Sequence, residues 1–148
     1  MNVLVTPYRV AQFTLEEVRE FWPRLERMLD SVPHTWRHWT KEHIRGSIEN
    51  NSLQVWGIGP PGKATLILFT TVNAFPALKV LTVVWAAGTF DDAMLPLLEM
   101  TLGSFARLNS CDEVEIRGRL GWESKLKTLG FRHETSMWTR RIDNVRMN

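Results

Sequence analysis

The segment VLTVVWAAGTFDDAML, Val80 to Leu95, places a glycine between an apolar run and a helix start. A loop of that kind can cradle a phosphate, because backbone N–H groups and the positive end of the helix dipole converge on one spot. Here the loop runs into two adjacent carboxylates, Asp91 and Asp92, and carries no basic residue. An aspartate at such a position is a good N-cap. It would occupy the free N–H groups and repel an anion.

The segment HTWRHWTKEH, His34 to His43, mixes tryptophan with arginine, histidine and lysine. Those residue types suit a partner or acceptor pocket, or a stacking surface for nucleic acid. The competing reading packs Trp36 and Trp39 against a core and leaves the polar residues in water. His38 and His43 are not spaced i, i+4, and no acidic or cysteine ligand completes a set, so no metal site is expected. Cys111 has no histidine at a spacing that suggests a nucleophile's base, and it reads as a structural thiol. Glu113 and Glu115 alternate with Val114 and Ile116, as on the exposed face of a strand. In RGRLGW, Arg117 to Trp122, the glycines let a strand turn into a helix, while Arg117 and Arg119 could grip an anionic partner.

These residues need elements to hold them. Thr14 and Glu17 form a capping box, with Phe13 and Val18 at the hydrophobic-staple positions. Leu15, Val18, Phe21, Trp22, Leu25, Met28 and Leu29 then recur at three and four, a helix facing a core. Pro23 either kinks that helix or starts a second one. Another helix starts near Thr40, with Ile44 and Ile48 inward, and ends at Asn50 and Asn51. Leu53–Gly59, Ala64–Val72 and Leu78–Trp85 read as strands. The last two are apolar on both faces, so they belong in the middle of a covered sheet, with Val80, Val83 and Val84 nearly fully buried. A helix over residues 92–108 turns Met94, Leu97, Leu98, Leu102, Phe105 and Leu108 inward. Asp112–Gly118 is a strand, Trp122–Gly130 a short helix, and Phe131–Ile142 a closing strand. Val3–Val5 is a candidate opening strand.

A chain of 148 residues with 44% apolar and 23% charged residues fits one soluble domain, residues 1–148, with helices on both faces of a mixed sheet. The single cysteine rules out an internal disulfide framework and points to a reducing compartment, so the expected location is cytoplasmic. No apolar run approaches the ~20 residues of a membrane span. The N-terminus has no signal-peptide pattern.

The element order, together with GRLGWESKLKTLGFRHETSMWTRR (Gly118 to Arg141), resembles the α/β fold of the GNAT-type (acyl-CoA N-acyltransferase) proteins. The WPRL helix and LLEMTLGSFARLNSCDEVEIRGRLGW look like small GNAT-like proteins of phage and prophage genomes. The resemblance implies an acetyl-CoA loop reading Arg or Gln, two residues, Gly, one residue, Gly or Ala. Two registers fit. One puts the special positions on Ala86, Thr89 and Asp91, the other on Ala87, Phe90 and Asp92, and neither supplies the base or the glycine pair. The general base that such enzymes often carry on the central strand has no acidic counterpart in Leu78–Trp85. The tyrosine often found on the late helix is replaced by Leu126, and the single tyrosine, Tyr8, lies far away in sequence.

The expected function is therefore a GNAT-like protein without the standard acetyl-CoA loop and catalytic residues: a protein-binding virion or accessory component, phage-encoded and located in host cytoplasm or virion. Its partner-binding candidates are Trp36, Arg37, His38, Trp39, Arg117 and Arg119. It takes a protein partner, with neither nucleic acid nor membrane expected, and is compatible with a homo-oligomer. No catalytic residue or cofactor is expected. The alternative is an acetyl-CoA-dependent N-acetyltransferase with an atypical loop, in which Ala86, Ala87, Gly88 and Thr89 hold the cofactor.

Overall fold

The computed structural model describes residues 7–117, 123–134, 140 and 142, which group into two compact units, one up to residue 118 and one from residue 119 on. In the first unit, β1 (Arg9–Gln12) leads into α1 (Leu15–Asp30), α2 (Lys41–Glu49), β2 (Gln54–Gly59), β3 (Leu66–Ala74), β4 (Lys79–Gly88), α3 (Leu95–Leu108) and β5 (Glu113–Ile116). The strands lie in sequence order in one mixed sheet. β1, β2, β3 and β4 pair antiparallel, and β4 pairs β5 in parallel through the α3 crossover.

Local sequence explains most of these elements. The Thr14 hydroxyl accepts from Glu17 N, and the Glu17 carboxylate accepts from Thr14 N, so the capping box is complete. α1 runs unbroken through Pro23, whose missing N–H and ring cost about 3 kcal/mol in a helix interior. Buried Val18, Trp22, Leu25 and Leu29 offset that cost on the inward face. Arg19 bridges from α1 to Glu49 on α2 at 2.7 Å and holds that carboxyl below the usual range. Thr40 caps α2.

Two cores sandwich the sheet. Val55, Ile67, Phe69 and Trp85 face α1 and α2. Trp56, Ile58, Leu66, Leu68, Leu81 and Val83 face α3 and its Met94, Leu97, Leu102 and Ala106. Thr70 is buried, yet its hydroxyl donates to Gln54 and accepts from the Trp56 indole, each at 2.9 Å, so its burial leaves no polar atom unmet. Leu108, expected inward, is 84% exposed, because it sits at the rim of the inward stripe in the last turn of α3.

β1 was not legible as a strand: RVAQ is short and half polar, and its pairing with β2 is what defines it. The candidate opening strand Val3–Val5 lies outside the described residues. In the second unit, α4 (Glu123–Thr128) ends at Gly130 with a φ of +82°, and residues 131–134 have no regular structure. Most of the expected closing strand lies outside the described residues, as do Gly118 to Trp122.

Candidate functional site

β4 carries an extra residue. Phe69 pairs with Trp85 but Thr70 pairs with Val83, so Val84 bulges from the ladder. The bulge turns both Val84 and Trp85 toward α1 and α2, while Val83 and Ala86 face α3. Val80 and Val83 are buried as a doubly covered strand requires, but Val84 is only half-buried. Strand periodicity cannot foresee such a switch of faces, because it depends on the neighbouring strand's register. The last parallel ladder pair is Val83 with Ile116, followed by a 3.1 Å bond from Arg117 N to Val83 O. Among the described residues, β4 then continues without a partner on that side of the ladder to Gly88.

The loop beyond β4 is tied down on the β3 side. Gly88 takes a φ of +112°, and Thr89 N donates to Thr65 O at 2.8 Å. Ala86 is half-buried, Ala87 buried, and Gly88 and Thr89 exposed. Asp91 then caps the helical turn at residues 92–94 that leads into α3. Its Oδ1 accepts from Ala93 N at 2.9 Å, and its Oδ2 accepts a short hydrogen bond from the Tyr8 hydroxyl. The Ala93 N–H at the start of this turn is therefore bound to a carboxylate, with Asp92 beside it. This agrees with the N-cap role expected of one of the two aspartates, and Asp91 is the one that takes it.

Tyr8 is the residue that sequence reasoning missed, since no local signal links positions 83 apart. The hydrogen bond to Asp91 raises the phenol pKa, and desolvation and the carboxylate's charge add to the rise. A raised folded pKa adds stability below the ordinary tyrosine value of about 10, and that stability is lost as pH rises through the folded value. Because Tyr8 is the chain's single tyrosine, tyrosinate absorbance at 295 nm reports on it alone. The titration midpoint should lie above that of the unfolded chain and fall toward it in Asp91→Asn. Identical midpoints in the two proteins would remove the contact.

The connection between α1 and α2 separates its tryptophans. Trp36 is half-buried against the α1–α2 core, and its indole N–H donates to Leu29 O at 2.7 Å. Trp39 is 40% exposed and stands edge-on to Trp85, with centroids 5.5 Å apart and planes at 83°. Trp85 in turn meets Phe69 at 5.7 Å. An aromatic chain thus runs from the surface, past the bulge, to the centre of the sheet. Arg37 and His38 are exposed beside Trp39. Arg117 lies on a different element, past the end of β5, where it pairs with Glu115 at 3.3 Å. Arg119 falls outside the described residues. Leu126 is half-buried on α4. Among the described residues, no three His, Cys, Asp or Glu side chains gather as a metal site. No helix among them is long and apolar enough to cross a membrane.

The fold these features sit on is the GNAT acetyltransferase fold. An aminoglycoside acetyltransferase from an uncultured soil metagenomic sample superposes with a TM-score of 0.68 at 12% identity, covering 93% of this chain and 100% of that one. The ribosomal-protein-alanine N-acetyltransferase of Brucella melitensis biovar Abortus 2308 gives 0.65 at 15%, covering 91% and 99%. Glucosamine-6-phosphate N-acetyltransferase from Arabidopsis thaliana gives 0.63 at 11%, covering 92% and 99%. No protein-family model matches the sequence, and no curated protein is similar to it. Likeness at such identities establishes the fold, and chemistry has to be argued from the site.

Proposed function

We propose that this chain is a protein-binding member of the GNAT fold that works without acetyl-CoA, an accessory or virion component of the kind phage and prophage genomes encode. The observation that carries the loss of cofactor is Asp91. Its carboxylate fills the helix start that a pyrophosphate would need, and an anion there would meet two acids instead of free N–H groups. The virion or accessory setting rests on the resemblance of the WPRL helix and of Leu97 to Trp122. The partner surface is the α1–α2 connection, where Trp39, Arg37 and His38 stand exposed, and Trp and Arg are the commonest interface anchors.

One observation favours the alternative, an acetyl-CoA-dependent N-acetyltransferase. β4 runs past its last ladder partner on β5, and such a strand edge beside a helix start can pair with the amides of a pantetheine arm. In that reading the same edge, Ala86 to Thr89, holds the cofactor.

The two tryptophans make the proposal testable. Trp36→Ala removes a packed ring and its hydrogen bond, and should cost about 2 kcal/mol or more of stability. Trp39→Ala removes one edge-on aromatic contact, worth about 0.5–1.5 kcal/mol. A partner obtained by affinity capture and then purified should bind the Trp36→Ala protein's folded fraction normally. The same partner should lose ~2 kcal/mol or more of affinity for Trp39→Ala. Unchanged affinity in Trp39→Ala and in Arg37→Ala would move the partner surface elsewhere, with Arg117 the next candidate.

A further inference from the structure

Away from the β4 loop and the α1–α2 connection, a cleft of about 400 Å³ opens between α1, β1 and the β2–β3 hairpin. Its walls combine two chemistries. Phe13, Phe21 and Met28 supply an apolar side, with the two phenyl rings 6.0 Å apart and Phe21 left 40% exposed. Arg9, Arg24 and Lys63 supply cations. Arg24 is anchored by a 2.6 Å bond to Ala64 O, which holds the guanidinium at the cleft while its remaining donors stay available. Among the described residues, neither Arg24 nor Lys63 has a carboxylate within ion-pair distance. The one acid in the lining, Glu17, already accepts from Thr14 N in the capping box.

We infer that this cleft binds a small molecule with a carboxylate, phosphate or similar anionic head and a flat apolar body. The volume falls within the range of small-molecule sites, roughly 300–1,000 Å³. The head would meet Arg24 and Lys63, where a planar guanidinium favours paired oxygens. The body would lie on Phe21 and Phe13, covering an aromatic face now open to water. Neither Trp39 nor Trp85 lines the cleft, so the site is separate from the partner surface proposed above and does not depend on it.

The probe is 1-anilinonaphthalene-8-sulfonate, a sulfonate on a fused aromatic body that fluoresces when its rings leave water. Titrated into the full chain, it should bind at one site per chain and weaken as salt is raised. Lys63→Glu and Phe21→Ser should each weaken it at least tenfold, while Arg107→Ala on α3 leaves it unchanged. Lys63 and Phe21 are both exposed, and a melting curve for each variant confirms that the fold survives. Phenyl phosphate should displace the probe, and 2-phenylethanol, which has no charge, should not. Binding that neither variant weakens, or displacement by the neutral competitor as readily as by the anion, would overturn the proposal. Displacement by the acidic tripeptide Glu-Phe-Glu, capped at both ends, tenfold better than by phenyl phosphate would overturn it in favour of a peptide-docking groove.

Discussion

Replacing Phe69 with alanine should cost about 3–5 kcal/mol, a large part of the 5–15 kcal/mol that stabilises a typical domain. Phe69 is fully buried and stands at the middle of the sheet, in the core shared with α1 and α2. It packs edge-on against Trp85, across from the bulge. Deleting the ring removes its transfer energy and leaves a cavity that a strand pinned on both edges cannot collapse. Urea unfolding should show a lower midpoint with an unchanged slope. A loss below about 1 kcal/mol would mean that this core is not packed around Phe69.

Gly88→Ala should be strongly destabilising, because a steric clash and a left-handed backbone coincide there. A Cβ at this position would lie 2.1 Å from Thr65 O and 3.1 Å from Leu66 Cα, so the start of β3 must move. That shift would stretch the Thr89 N to Thr65 O bond, which fixes the loop before Asp91. The φ of +112° adds backbone strain for any residue with a side chain. Strain and overpacking together put the cost at about 2–6 kcal/mol. Gly62→Ala is the matched control. Its φ of +78° is strained too, but its Cβ would meet open space. The difference between the variants isolates the clash. Equal losses would show that the close approach of β3 to the end of β4 has no energetic weight.

What could be read in advance was whatever chemistry is local. Thr14 and Glu17 announced α1, Thr40 announced α2, and the long apolar runs announced the two central strands. The N-cap role of Asp91 was also legible, since it needs only a neighbouring helix start. Features set by tertiary register were not. The bulge at Val84 exists because Thr70 pairs with Val83, and nothing in the strand's own residues encodes that choice. The Tyr8–Asp91 contact joins positions 83 apart, and only the tertiary fold brings the two together. Trp36 and Trp39 looked alike in sequence. The carbonyl of Leu29, one residue before the end of α1, takes the first indole's N–H, and only the second keeps an open face. The basic and aromatic cleft was invisible for the same reason: Arg24 and Lys63 meet only when the hairpin folds over α1.

The most direct measurement is calorimetric titration of the full chain with acetyl-CoA, paired with its effect on melting. With Asp91 closing the helix start, no saturable heat should appear and the melting temperature should not move. A bound cofactor at one hundred times its dissociation constant would add ~2.7 kcal/mol, enough to shift a domain of this size by several degrees. Micromolar one-to-one binding, with the pyrophosphate placed at Gly88 to Asp92, would contradict the account and make this chain an acetyl-CoA-binding protein.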